Sequence, residues 1–346
     1  MAVQLIAQKL TVHTKHPFII ARGGTSEYHV VWVRVRDTQS DDDGIEGWGE
    51  AAPSRFYGET ADSVLTALDR LAPVLEHANG WSIDAVERDM EKALRWNAAA
   101  RCAVSAALHD LAAKRLGVPL WKWWGLDATK TPTSSFTIGI APDDETLRAR
   151  VRDAAAYPIL KIKLGTPRDA EIVRIVREEA PHATLRVDAN AAWTPKQALG
   201  MLDVLTRYGV DMLEQPLAPH DLEGLRFVRE RSPIDVVADE SCLVASDIPK
   251  LVGVVDGINI KLAKCGSLRE AHRMIAVARA HGMRVMCGCM IESTLGIAAA
   301  AHFSPLLDDA DLDGAALLSD DPFSGPQIPG GLVTLSDAPG LGVQRR

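Results

Sequence analysis

Five short stretches decide the fold: residues 159–164 (ILKIKL), 184–188 (TLRVD), 210–214 (VDMLE), 235–239 (DVVAD) and 257–261 (GINIK). Each is an apolar run with charge at or near its end: Lys161 and Lys163, then Asp188, Glu214, Asp239 and Lys261. The closing charges are 25, 26, 25 and 22 residues apart from Lys163 onward, and a helical pattern fills each gap. Strand alternating with helix implies a parallel sheet. Further apolar segments at 136–140, 284–287 and 309–313 bring the number to eight, which implies a closed barrel. Active sites of such barrels lie at the C-terminal strand ends, so charges spaced one per repeat converge on one ring. One Asp at a strand end is read most simply as the cap of the next helix. Three successive carboxylates flanked by lysines are not.

A different pattern precedes the barrel. Residues 29–36 alternate in the manner of a strand, Asp41-Asp42-Asp43-Gly44 reads as a turn, and residues 45–50 as a returning strand. Helical patterns follow at about 60–77, 82–95 and 98–116, the last stopped by Gly117 and Pro119. The expected architecture is an α/β barrel of alternating strands and helices, preceded by an α+β domain on which the C-terminal tail packs back. The expected boundaries are 1–128 for the α+β domain, 129–318 for the barrel and 319–346 for the turn-rich tail segment. Trp121, Trp123 and Trp124 read as core between domains.

Composition sets the outer limits. The 346 residues are 47% hydrophobic and 24% charged, with a net charge of −8. That balance suits a large packed core and argues against a general nucleic-acid binder, which needs a basic face. No apolar run reaches the ~18 residues of a membrane span, and no signal peptide is evident, so a cytoplasmic protein without membrane partners is expected. Five cysteines make no disulfide framework in a chain of this length.

Asp188, Glu214 and Asp239 are hard oxygen donors without a thiol or imidazole among them, a set that suits Mg²⁺ better than zinc. Asn190 is expected on the side of Asp188 by strand alternation, supporting that ligand. Lys161 and Lys163 share one strand face, and crowding of cations is expected to lower lysine pKa and release a base. Strands two and six lie opposite one another in an eight-stranded barrel, so Lys163 and Lys261 flank a central substrate. One lysine on each face of a carbon acid fits removal of an α-proton and its return to the other side, with the enolate stabilised by Mg²⁺.

The chain resembles the enolase superfamily, in the muconate-lactonizing-enzyme-like subgroup, and most of all the dipeptide epimerases of the L-Ala-D/L-Glu type. The resemblance runs through PFIIAR (17–22), GWGE (47–50), ALHDLAA (107–113), LKIKL (160–164), VDAN (187–190), LEQP (213–216), ADES (238–241), INIKLAK (258–264) and GCMIE (288–292). It implies a (β/α)7β modified TIM barrel with an α+β N-terminal capping domain completed by the C-terminal tail. It also implies Asp188, Glu214 and Asp239 as Mg²⁺ ligands, Lys163 and Lys261 as acid/base groups, and Lys161 assisting beside the substrate carboxylate. It further implies that Asp311 and Asp313 hold the ammonium of a dipeptide, and that Arg22 takes an acidic side chain. Thr137, Ser241 after Asp239, Cys289 and Met290 are expected to line the pocket, Ser241 in support of Asp239, and Tyr57 to cover the substrate. A homo-oligomer is implied as well. o-Succinylbenzoate synthases and N-acylamino acid racemases share the lysines and carboxylates and form the alternative. Lys264-Cys265-Gly266-Ser267 departs from the Lys-x-Gly-Gly usual in the family.

Overall fold

The computed structural model describes residues 3–38, 44–78 and 80–346. The expected acidic turn at 41–43 lies outside the described residues.

An antiparallel sheet opens the chain: β1 (Val3–Ile20), β2 (Gly23–Asp37) and β3 (Gly47–Ala51). Helices α1 (Ala61–Glu76), α2 (Ile83–Ala93) and α3 (Ala98–Leu116) follow, within a residue or two of the expected spans. The Gly47-Trp48-Gly49 stretch exists because α3 lies directly on β3. A Cβ on Gly47 would fall 1.9 Å from Ala107 O, and one on Gly49 2.0 Å from Ala103 O. The alanines of α3 allow the same approach from the other side. Gly117, at φ 68°, ends α3 with its N–H bonded to Lys114 O, and Val118 N–H reaches Ala113 O.

The barrel strands are β4 (Phe136–Ile138), β5 (Ile159–Lys163), β6 (Thr184–Asp188), β7 (Val210–Glu214), β8 (Asp235–Ala238), β9 (Gly257–Ile260), β10 (Arg284–Gly288) and β11 (Asp309–Asp311). They pair in sequence order and in parallel, and a Ser134–Ala310 bridge joins the last to the first. A helix follows every strand but the last, which gives (β/α)7β. Leu160, Ile162, Leu185, Val187, Leu213 and Val236 point outward into the layer between strands and helices.

The residues of the opposite faces fill the barrel in layers. At the N-terminal end, Arg284 bonds to Asp235 and Asp309, and Arg186 also bonds to Asp309. Asp309 is thus a buried barrel group and not the solvated loop acid its acidic surroundings suggest. Met212, Val237 and Met286 form an apolar middle layer. Above them lies the charged ring.

The tail packs on the capping sheet. Phe323 meets Trp32 edge-on at 5.4 Å and approaches Trp48 at 6.2 Å, and Leu341 N–H donates to Asp110 at 2.7 Å. Trp124 contacts His272 of the barrel at 4.7 Å, and Trp121 Nε1 donates to Ser336 O of the tail. Trp123, by contrast, is exposed. Among the described residues no helix is long and apolar enough to cross a membrane.

Candidate active site

Register builds the ring. Lys163 pairs with Asp188 across β5–β6, and Asp188 with Glu214 across β6–β7. Asp188, Glu214 and Asp239 are buried and offer oxygens that all lie within 4.8 Å of one another. Each carboxylate carries a lysine on one oxygen. Lys163 Nζ is 2.6 Å from Asp188 Oδ2, Lys161 Nζ 2.7 Å from Glu214 Oε2, and Lys261 Nζ 2.7 Å from Asp239 Oδ2. Lys161 also reaches Asp311 Oδ2 at 2.7 Å.

Polar neighbours fix the other oxygens. Asn190 donates to Asp188 through both its backbone N–H (2.7 Å) and its side-chain amide (3.1 Å). Strand alternation is not the reason. β6 ends at Asp188, and Asn190 turns back in a left-handed conformation at φ 46°. Asn259 Nδ2 donates to Glu214 Oε1 at 2.9 Å. Gln215, also left-handed at φ 33°, accepts from the N–H groups of Asp239 and Ser241 with its side-chain oxygen, and its amide donates to Ser241 Oγ. Ser241 passes its own proton to Pro219 O. It therefore braces the Asp239 loop and does not enter the cavity. Left-handed backbone one residue after Glu214 and two after Asp188 is the kind of cost that active sites carry.

Lys264 is the residue sequence reading missed. It has no exposed side-chain surface and contacts Asp239 Oδ1 (2.5 Å) and the carbonyls of Asp239, Cys242 and Asn259. The signal was available: a lysine one helical turn after Lys261 inside an apolar run. Asn259, Gln215 and Ser135, whose hydroxyl donates to Asp311 Oδ1 at 2.6 Å, were likewise passed over.

Electrostatics follow from burial and pairing. Burial would lower the Lys161 pKa, but Asp311, Glu214 and Asp188 outweigh it and hold the ammonium well above its usual value. Lys261 behaves the same way, raised chiefly by Asp239 against burial. The expected lowering of lysine pKa by crowded cations is thus reversed at Lys161, because the surrounding carboxylates outweigh burial. Burial, with Asp188 and Asp239 and against the pull of Lys161, pushes Glu214 up to about 7. Asp311 sits at about 2, where Lys161 and Lys163 override burial. Asp313 goes the other way, to about 7, through burial and the charge of Asp311.

A cavity of about 730 Å³ opens above the ring, between barrel and capping domain. Lys163, Lys261, Asn190, Asp311, Asp313, Thr137, Cys289, Met290 and Arg22 all line it. Thr137 N–H donates to Asp313 Oδ2 at 2.6 Å. Arg22 stands at the tip of the β1–β2 hairpin. It donates to Asn190 O (2.6 Å) and Glu240 Oε1 (2.8 Å) and lies over the Phe56 ring at 4.2 Å. Besides Ser241, two expected residues are not on the cavity wall. Lys161 is sealed beneath it by its carboxylates, and Tyr57 packs edge-on against Phe56 within electrostatic reach of Asp239 and Lys261.

Comparison with known proteins agrees with this geometry. Residues 3–125 match the mandelate racemase/muconate lactonizing enzyme N-terminal domain, and residues 145–346 match the enolase C-terminal domain-like family. The L-Ala-D/L-Glu epimerase of Bacteroides thetaiotaomicron is 41% identical over 88% of this chain and 79% of its own. The dipeptide epimerase of Enterococcus faecalis, solved with Mg and the dipeptide L-Leu-L-Tyr, superposes with a TM-score of 0.93 at 32% identity over the whole of both chains. The substrate-liganded L-Ala-D/L-Glu epimerase of Bacillus subtilis gives 0.92 at 30% identity over 99% of each. With both domains matched and the charged ring in place, the chain belongs to the enolase superfamily, in the mandelate racemase/muconate lactonizing enzyme family and among its dipeptide epimerases.

Proposed function

We propose that this protein is a Mg²⁺-dependent dipeptide epimerase, inverting the α-carbon of the C-terminal residue in L-Ala-L-Glu-like dipeptides. The observation that carries it is the placement of Lys163 on β5 and Lys261 on β9. These strands stand four apart in a ring of eight, so the lysines face each other across the cavity floor beside a buried carboxylate triad.

The donor set fits the metal: three buried carboxylates, no soft ligand, and Glu214 pushed up to about 7 largely by burial and its like-charged neighbours, as expected of a site built for a cation. Asp188, Glu214 and Asp239 would hold Mg²⁺, which when bound supplies Lewis-acid stabilisation of the negative charge that develops on the substrate carboxylate. The protein does the rest. Asp311 and Asp313 receive the substrate ammonium, which in a desolvated site needs anions. Lys163 takes the α-proton on one face and Lys261 delivers one on the other, with the roles exchanged in reverse. Lys161, tied to Glu214 and Asp311, keeps the charge of the floor in balance and orients both. Arg22 stands where it can meet an acidic side chain, with Glu240 as its resting partner. Asn190 and Ser241 act through Asp188 and the Asp239 loop.

The o-succinylbenzoate synthase and N-acylamino acid racemase alternatives are not favoured. Their substrates bring no free amine, which would leave Asp313 buried without a cation. The same proposal places the enzyme in the cytoplasm, where its five free cysteines suit a reducing compartment, and makes it a homo-oligomer, which light scattering would check.

The test is mass spectrometry of a dipeptide library incubated with protein and Mg²⁺ in D₂O. A one-dalton gain in Ala-Glu and Ala-Asp supports the whole reading. Gains confined to aliphatic or cationic dipeptides remove the acidic preference and the role of Arg22 while keeping the chemistry. Labelling of N-acylated amino acids at an equal rate refutes the ammonium assignment.

A further inference from the structure

A second pair of acids lies outside the ring, at the junction of the two domains. Glu50 is on β3 of the capping sheet, and Glu292 is in the segment between β10 and the helix Thr294–Ala301. Both are buried. Glu50 accepts from Ser293 N–H at 2.9 Å and from the Ser293 hydroxyl. Glu292 Oε1 accepts from Met290 N–H at 2.9 Å, and Met290 lines the large cavity. Glu292 Oε2, which has no hydrogen-bond donor among the described residues, and Glu50 Oε1, which accepts from Ser293 N–H, turn to the same place. A Cβ on Gly296 would stand 2.8 Å from both Glu292 Oε2 and Glu50 Oε1, so this helix position tolerates glycine because two acids crowd it. Beside them is a void of about 10 Å³, the lower limit for a single water, lined otherwise by Ala52, Cys102, Ala106 and other small or apolar residues.

Nothing cationic closes on the pair. Among the described residues neither acid makes an ion pair. The charges acting on Glu50 are Glu292 and Asp321. The charge acting on Glu292 is Lys261, itself bound to Asp239. The thiols of Cys102, Cys287 and Cys289 complete the titratable surroundings. Burial disfavours the charge of each, and the charge of Glu292 disfavours that of Glu50 further.

We propose that Glu50 and Glu292 are positioning residues that retain one proton between them, and that this pair fastens the Met290 segment of the pocket wall to the capping domain. Burial is the main cause in each case, raising Glu50 to about 8 and Glu292 to about 7. For acids raised in the folded state, the associated stability is complete below the ordinary carboxyl range and is lost as pH rises through those values.

Glu292→Gln keeps an acceptor for Met290 N–H and removes the charge. Its melting temperature, read against wild type on the Mg²⁺-loaded protein, should gain by about 2 °C or more between about pH 5.5 and about pH 8.5. The ratio of wild-type KM to that of Glu292→Gln for the dipeptide should rise over the same interval, since any other titration in the pocket is common to both. Glu50→Gln should show the same melting signature and serves if the first variant does not fold. A melting difference from wild type that is flat with pH in the folded variants overturns the shared proton. The KM arm rests on the dipeptide reading and the melting arm does not, so turnover of no dipeptide would sink that reading and leave this one to be judged by melting.

Discussion

Lys163 and Lys261 each hold one oxygen of a neighbouring carboxylate, so each is both a structural cation and a candidate base. Their separation across the barrel makes their losses distinguishable. Lys163→Ala should lose at least ~100-fold in α-proton exchange from one epimer and Lys261→Ala from the other, as expected for removal of a general base. Deuterium incorporation monitored separately from each pure epimer checks this, and full two-way exchange in either variant contradicts a two-base route. Asp313 gives a second handle. It sits at about 7 because it is buried beside Asp311, and only its ionised form attracts an ammonium. KM for the dipeptide should therefore fall as pH rises through about 7, and Asp313→Asn should flatten that limb and raise KM throughout. The ring charges were legible because they recur once per repeat. Asn259 was not, since an amide within one repeat carries no periodic signal, and Lys264 was marked only locally, by its place one helical turn after Lys261.

Among the elements, the contact between α3 and β3 is the tightest constraint on the capping domain. Gly49→Ala would drive a methyl group into the carbonyl of Ala103, and backbone cannot step aside as a side chain can. A cost of about 1–3 kcal/mol is expected, measurable as a drop in urea midpoint with unchanged slope. Strand ends in the barrel were read from the sequence almost to the residue, because an apolar run closed by a charge marks both the core face and the rim of one strand. Residues 29–36 of β2 were read as a strand, but β1 and the first part of β2 were not. Residues 3–20 and 23–28 mix exposed polar and apolar residues without clean alternation, since much of this ribbon stands out from the core with few buried side chains. Nothing in the sequence marked the tight tip at Arg22, where Gly23 takes φ 97° and Arg22 reaches back to Asn190 and Glu240.

At the scale of the whole molecule, the last residues close the structure on the first. Phe323 fills the space between Trp32 and Trp48, and Arg345 lies over both the Trp32 and Phe323 rings at just over 5 Å. Phe323→Ala should cost about 3–5 kcal/mol, as for other large aromatic truncations in cores. It should raise KM more than it lowers kcat, because it loosens the capping sheet without touching the barrel floor. Steady-state kinetics beside thermal melting separates the two effects. The charged floor itself has a consequence for how such an enzyme comes into being. Four lysines stand against Asp188, Glu214, Asp239 and Asp311, so the interior is neutralised by covalent parts of the chain. A nascent barrel of this kind can complete itself before meeting any cation, unlike small domains whose metal is the condition of folding. Biogenesis and loading become separate events, and magnesium supply then governs how many finished molecules work and not how many survive.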